Sequence, residues 1–164
     1  RLGPLRWKAM YSFASAVGLG LIVWGYGLAR AESPVFWGTP DWARHLAAAL
    51  TLPAFILLVA AYVPGNRIKA AVGHPMLAGV KVWALAHLLA NGKLSALLLF
   101  GAFLAWAVVD FIAARRRDRV AGRSYPASGA SRDAAVVAIG AVAWALFAFL
   151  GHTWLIGVSP FRIG

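Results

Sequence analysis

Long apolar runs separated by short polar stretches dominate the sequence. Each run is close to the roughly 17–25 residues that an α-helix needs to cross a bilayer, the third being the shortest. The five runs cover residues 10–29, 42–63, 75–90, 94–114 and 134–158. Turn-forming Pro and Gly residues separate them, and the Asn91-Gly92 link is short enough to require a tight antiparallel hairpin. The pattern predicts an all-α fold, a polytopic transmembrane helix bundle with five spans.

The composition agrees with a membrane environment. The chain is 62% hydrophobic and 13% charged, with a mean hydropathy of +0.74. Soluble domains contain about 25% charged residues, so this chain has too few polar side chains to cover a water-exposed surface. Cysteine is absent, which excludes disulfides, thiolate metal sites and cysteine nucleophiles. A metal or cofactor would therefore be bound by His, Asp, Glu, Asn or backbone oxygen.

The net charge of +11 is informative through its distribution along the chain. If the first residues are cytoplasmic, eleven Lys and Arg lie on the cytoplasmic side and four on the other. This is the bias that the positive-inside rule predicts. Residues 115–132 supply six of the eleven, and we expect this basic cytoplasmic loop to contact anionic lipid. The charge therefore indicates membrane topology rather than binding to nucleic acid.

Histidines are the leading candidates for a functional site. Counting residues at about 1.5 Å of rise each places His45, His87 and His152 in the outer half of three different spans, and His74 at the inner interface. Two imidazoles at equal depth on facing helices can hold a haem iron axially. Alternatively, each histidine donates a hydrogen bond to a neighbouring helix, as polar groups inside membrane bundles commonly do. Spacing leaves both interpretations open.

Three further polar residues lie within or beside the spans. Asn91 shares a helix face with His87 and is a candidate to orient its imidazole. Lys81 and Asp110 lie in the inner halves of adjacent spans, where a structural ion pair between them would keep both charges in the bilayer at least cost. The alternative is that both side chains extend to the lipid headgroups.

The segment 73–92, GHPMLAGVKVWALAHLLANG, resembles the signature of the NnrU family of bacterial inner-membrane proteins. The similarity extends over nearly the whole chain and implies a single NnrU-like transmembrane domain over residues 1–164. Proteins of this kind usually carry one further spanning helix at the N-terminus, so we expect six spans in the full-length protein.

The resemblance also implies a cofactor. A relative of the family, the plant and cyanobacterial 15-cis-zeta-carotene isomerase, is a membrane enzyme that binds haem b. Its two histidines in the same spacing match His74 and His87, and a further family histidine resembles His45. The resemblance implies that His87 is an axial haem ligand whose partner lies on the additional N-terminal helix.

The function implied by the resemblance is a b-haem protein linked to denitrification or to isoprenoid isomerisation. Kinship of fold does not transfer a substrate. The competing hypothesis is a non-catalytic membrane subunit or assembly factor that docks a larger complex or a second copy of the chain.

Overall fold

The structure, a computed structural model, describes residues 3–161 and is built from helices. The helices are α1 (Pro4–Glu32), α2 (Asp41–Tyr62), α3 (Arg67–Val72), α4 (Pro75–Ala90), α5 (Leu94–Val120), α6 (Ala130–Leu146) and α7 (His152–Ile156). A π-helical turn, Phe147–Gly151, joins α6 to α7. The described residues form no β-strand, so the predicted all-α fold class is confirmed.

Within residues 3–161, four helical segments are long and apolar enough to cross a membrane. They are Pro4–Glu32, Asp41–Tyr62, Leu94–Val120 and Ala130–Ile156. The remaining predicted span, α4, has 16 residues and rises about 24 Å, short of the roughly 30 Å hydrocarbon core. The chain is therefore a multi-pass helical membrane protein, with its shortest apolar helix at the centre of the bundle.

Small residues set the packing of the bundle. Helix α4 packs against α2 on one side and α5 on the other, α6 packs on α2, and α1 packs sparsely on α5. A Cβ added at Gly79 would lie 2.9 Å from the carbonyl oxygen of Ala54, and one added at Gly140 would lie 2.7 Å from Cα of Ile56. These glycines bring α4 and α6 close to α2, as small residues do between membrane helices.

At the end of the bundle away from the Arg-rich connection, which we call the opposite end, the α1–α2 and α4–α5 connections are bonded to each other. An isolated antiparallel bridge joins Val35 to Lys93. Phe36 donates its backbone N–H to the carbonyl of Gly92 at 2.8 Å. A Cβ at Gly92 would collide with the carbonyl oxygen of Trp37, so this link requires glycine. The predicted hairpin between α4 and α5 is confirmed, and the α1–α2 connection lies against it.

The other end, which we call the basic end, carries the Arg-rich connection. Helix α5 continues to Val120 and α6 begins at Ala130, so only 121–129 of the predicted loop are non-helical. The backbone N–H of Ser128 donates to the carbonyl of Gly65 at 2.8 Å, and that of Arg67 donates to Asp133 at 2.7 Å. The connections expected to share one side of the membrane thus lie at one end. Arg1 and Arg162, counted in the charge bias, lie outside the described residues.

Candidate functional site

His87 and His152 lie side by side near the opposite end of the bundle. His87 belongs to the last turn of α4, and His152 is the first residue of α7. Their ring centres are 6.5 Å apart and their planes are inclined at 22°. Two of the three histidines predicted at this depth therefore meet, from separate helices.

Both imidazoles are oriented in the same way by backbone carbonyls. Nδ1 of His87 lies 2.8 Å from the carbonyl oxygen of Trp83, and Nδ1 of His152 lies 2.6 Å from that of Val158. Because a carbonyl only accepts hydrogen bonds, each Nδ1 carries the hydrogen, and Nε2 of the neutral ring keeps its lone pair. Histidines that bind metals usually have such a partner on the other nitrogen.

A local irregularity positions His152. The π-helical turn Phe147–Gly151 directly precedes it, and such turns frequently occur at functional sites. Gly157, with φ of 73°, ends α7 in the left-handed conformation, and the chain then returns the Val158 carbonyl to the His152 ring. The sequence pattern predicted one uninterrupted span over 134–158, and the π turn was not foreseen. In the sequence, the irregularity is indicated only by Gly151 and Gly157, the glycines on either side of the histidine.

Aromatic rings surround the histidine pair. The ring of His87 lies 4.6 Å from that of Phe100 and 5.0 Å from that of Trp83, centre to centre. Tyr26 contacts Phe100 edge-on at 5.9 Å, and Phe147 contacts His152 at 5.9 Å. The immediate environment of the pair is therefore largely apolar.

Two cavities flank the pair. Cavity A, of about 140 Å³, lies among α2, α4 and α6 and includes Arg44 and Thr51 in its wall. Cavity B, of about 220 Å³, lies among α1, α4 and α5 and includes Tyr26 and Arg30. Residues that line both cavities are Trp83, His87, Asn91, Phe147 and His152. The two imidazoles therefore lie between cavity A and cavity B and line both of them.

The sequence model of one family, described as NnrU protein, matches residues 1–160. The chain belongs to the NnrU family. No curated protein and no solved structure matches it. The family signature at 73–92 contains α4, so it supplies the central helix of the bundle and one member of the histidine pair.

His45 lies away from the histidine pair. His45 is exposed on α2 and lines neither cavity. The inward face of α2 is set by the buried residues Ala43, Ala47 and Ala54, and His45 is turned about 200° from Ala43 around the helix. His45 has the predicted depth on α2, but it lies apart from the histidine pair.

Asn91 is close to the pair but does not orient the imidazole. Its side-chain Nδ2 donates to the backbone carbonyl of His87 at 2.8 Å, while the imidazole itself is bound by Trp83. Asn91 follows the last residue of α4, so its amide satisfies one of the carbonyls that the helix end leaves open. It lines both cavities, but its amide binds the His87 backbone rather than the imidazole that it is predicted to orient.

His74 belongs to a separate cluster at the basic end. Its Nε2 lies 2.8 Å from Oδ2 of the buried Asp118, and the Tyr125 hydroxyl donates to the same oxygen at 2.9 Å. Arg123 approaches the other carboxylate oxygen at 3.9 Å. His74 precedes His87 by thirteen residues, about 20 Å along the helix axis. It is held by Asp118, far from the histidine pair.

Within this cluster, the pKa of the Tyr125 hydroxyl is shifted. Partial burial, with the hydrogen bond to the Asp118 carboxylate and its charge, raises the pKa of the Tyr125 hydroxyl above its usual value. Sequence reasoning missed Asp118 and Tyr125. The available sign was a lone acid inside the arginine run of residues 115–119.

Lys81 and Asp110 do not pair in the structure. Nζ of Lys81 lies 3.6 Å from the centre of the Phe111 ring, a cation–π contact. Oδ1 of Asp110 lies 3.5 Å from Nη2 of Arg117, two helical turns farther toward the basic end. The predicted ion pair is wrong because each charge finds a nearer partner on α5.

Proposed function

We propose that this chain is a b-type haem-binding protein of the bacterial inner membrane, in which His87 and His152 would hold the haem iron. The observation that carries the proposal is the pair itself. Two imidazoles from different helices stand 6.5 Å apart, each with Nδ1 bound to a carbonyl and Nε2 left with its lone pair.

The separation of the rings fits a single metal between them. A metal–imidazole bond is about 2.0 Å long, so two rings that share one ion would have centres up to about 6 Å apart. Among residues 3–161, no group of three or more His, Cys, Asp or Glu gathers that could hold a free metal ion. Two histidines alone suit an iron whose remaining ligands come from a macrocycle.

The surroundings also fit a macrocycle. Cavities A and B extend on both sides of the pair, so the edges of a flat ring would have space in each. The aromatic residues around His87 provide the apolar contact that such a ring needs. Arg44 lines cavity A and Arg30 lines cavity B, and a guanidinium group on either side would match the haem carboxylates, which leave one edge of the ring.

The residues of the chain have defined tasks in this proposal. A bound b-type haem supplies one-electron redox chemistry in the membrane. The carbonyls of Trp83 and Val158 hold the two imidazoles in one tautomer and increase their basicity as ligands. The aromatic rings of Phe100 and Phe147 pack beside the imidazoles and would limit the access of water to the cofactor. The family resemblance implies that the partner of His87 lies on a further N-terminal helix, whereas we assign that role to His152.

Of the two roles that the resemblance offers, this assignment favours electron transfer linked to denitrification. A haem held by both histidines would supply one-electron chemistry with neither residue leaving, whereas isomerisation of an isoprenoid at the metal would require one of them to leave. We also propose that the basic end is cytoplasmic. Exposed arginines at the end of α5, Arg115, Arg116, Arg117 and Arg119, would there contact anionic lipid headgroups.

The haem proposal is tested by reduced-minus-oxidised spectra of the full-length protein purified in detergent. We expect a b-type Soret and α band that His87→Ala and His152→Ala each abolish or convert. His45→Ala is the matched control, because this exposed histidine is outside both cavities, and its spectrum should equal that of the wild type. A well-folded protein without haem would refute the proposal.

One observation favours the second candidate function, a non-catalytic subunit or assembly factor. Helix α1 has no buried residue along its 29 residues and packs sparsely on α5, so its faces are open to another membrane helix or a second copy. A stoichiometric partner that copurifies in mild detergent, together with absence of haem, would select this candidate.

A further inference from the structure

Lys81 is a cation at membrane depth that has no carboxylate partner. Its Nζ lies 3.6 Å from the centre of the Phe111 ring, and within residues 3–161 it has neither a hydrogen bond nor an ion pair. Phe111 precedes the first arginine of the run on α5 by four residues, about 6 Å, so the ammonium group lies level with the apolar part of that helix. A charge at such a position is costly unless an anion neutralises it, and an aromatic ring does not supply one.

The carboxylate side chains of the protein are all placed elsewhere. The sequence has five of them, and two, Glu32 and Asp41, lie at the opposite end, where α1 ends and α2 begins. The other three lie at the basic end and each already faces an arginine, in the pairs Asp110–Arg117, Asp118–Arg123 and Asp133–Arg67. The counter-charge for Lys81 must therefore come from outside the chain.

The surface around Lys81, which we call the α4–α5 flank, is apolar and open. Leu85 lies one turn beyond Lys81 on the same face of α4, and Val108 lies one turn before Phe111 on the same face of α5. Both side chains are exposed, and α5 is long and apolar enough to span a membrane. Exposed apolar residues on such a helix contact acyl chains, so the anion that reaches Lys81 is one that lipid carries.

Arg115 adds a second cation to this flank. It follows Phe111 by four residues, one helical turn nearer the basic end. Its side chain is exposed and extends toward the start of α4, since a Cβ added at Gly73 would lie 2.6 Å from its Nη1. A guanidinium fork matches the oxygens of a phosphate, and the flexible stem of Lys81 can turn its ammonium group toward the same level. From the basic end inward, the flank thus presents cations and then apolar side chains, the order of headgroup and acyl chains in a phospholipid.

We propose that the α4–α5 flank is a binding site for one anionic phospholipid, whose phosphate is the counter-charge of Lys81 and also binds Arg115. The acyl chains lie against Leu85 and Val108. A zwitterionic lipid carries its own cation beside the phosphate, so it neutralises Lys81 less well. The proposal rests on the headgroup contact proposed above for the basic end and narrows it to one lipid at one place. It does not require haem.

The test uses full-length protein in detergent and dioleoylphosphatidylglycerol as the probe, with native mass spectrometry to measure the dissociation constant of the first bound lipid. Lys81→Met keeps an unbranched side chain without the charge, and we expect about fivefold weaker binding, because one cation near the anionic headgroup is lost. Lys81→Arg should bind like the wild type. The matched control is Arg116→Met, which removes one charge from α5 at a different surface depression, shared with Arg117, and should leave the first dissociation constant unchanged.

Three outcomes would overturn the proposal. Equal losses in Lys81→Met and Arg116→Met would leave only a diffuse headgroup contact at the basic end. Equal binding of dioleoylphosphatidylcholine would remove the need for an anionic lipid, and displacement of the lipid by inorganic phosphate would make the site one for a free anion. Reduced-minus-oxidised spectra of the same samples keep the haem proposal separate. Weaker lipid binding in Lys81→Met supports the site whether or not haem is present, and its spectrum should equal that of the wild type.

Discussion

The rings of His87 and His152 lie 6.5 Å apart and within 22° of parallel. The two histidines are positioned by different local structures. His87 is placed by a regular helix at the centre of the bundle, whereas His152 is placed by a π turn and a left-handed glycine. The π turn and its glycine are more easily disturbed than the regular helix.

Gly157→Ala should loosen His152. Gly157 has φ of 73°, where a side chain costs about 1–2 kcal/mol, and the strain would displace the Val158 carbonyl from Nδ1 of His152. We expect weaker haem retention, measured as the ratio of Soret to protein absorbance after dilution. Gly38→Ala is the control because a Cβ there meets nothing within 4 Å. Equal retention in both variants would contradict the proposed role of the turn.

Gly140→Ala should destabilise the bundle. The added methyl group would meet the backbone of Ile56 at 2.7 Å, and overpacking of this kind costs about 1–3 kcal/mol. Gly101→Ala is matched to it, since Gly101 also lies inside a helix but has open space around it. The free energy of unfolding in mixed detergent micelles should fall for the first variant and stay equal or rise for the second. The reverse order would exclude close α2–α6 packing as a source of stability.

The cluster at the basic end should stabilise the fold without affecting the histidine pair. Asp118→Asn weakens three contacts, with His74, Tyr125 and Arg123, and should lower the thermal unfolding temperature more than Asp110→Asn, whose carboxylate is partly exposed. The haem spectrum should be unchanged, because the cluster is about 20 Å from His87. A changed spectrum in folded Asp118→Asn protein would mean that the two ends are coupled.

The pH dependence of stability should report the same cluster. Because the pKa of Tyr125 is raised in the folded state, the folded protein favours the protonated hydroxyl. The stabilisation by Tyr125 is therefore complete below the usual tyrosine pKa of about 10 and is lost as the pH rises through the raised value. Thermal unfolding of wild type and Tyr125→Phe should differ at neutral pH and converge in strong alkali. A constant difference across that range would contradict this assignment.

Topology can be tested directly because the chain has no cysteine. Single cysteines at Gly38→Cys and Ser124→Cys occupy exposed positions at the opposite and basic ends. A membrane-impermeant maleimide should label the first in intact cells and the second only in inverted vesicles, since the positive-inside rule places the basic end in the cytoplasm. Labelling with the opposite sidedness would invert the proposed orientation.

Much of the fold was predictable because hydropathy and turn chemistry act locally. The helix ends at Ala90 and Leu94 match the predicted hairpin, and the depth of His87 follows from its place on a regular helix. The side of its helix on which a residue lies was less predictable from the sequence. His45 has the expected depth but is exposed, since the inward face of α2 depends on which residues α4 and α6 contact.

Contacts between distant segments were the least predictable part of the site. The Asp118 carboxylate joins His74 only because α4 and α5 are antiparallel neighbours and the loop returns Tyr125 to them. Likewise, Lys81 and Asp110 were matched by depth, but a cation–π contact and a nearer arginine replace the ion pair. Hydrophobic periodicity contains no information on a π turn, so the orientation of His152 required the three-dimensional structure.

The central claim is that His87 and His152 together bind one haem iron, and electron paramagnetic resonance of the oxidised full-length protein tests it most directly. Two nearly parallel imidazoles should give a rhombic low-spin ferric signal, replaced by a high-spin signal or by loss of haem in His87→Ala and in His152→Ala and retained in His45→Ala. A low-spin signal that persists unchanged in folded His152→Ala protein would contradict the account.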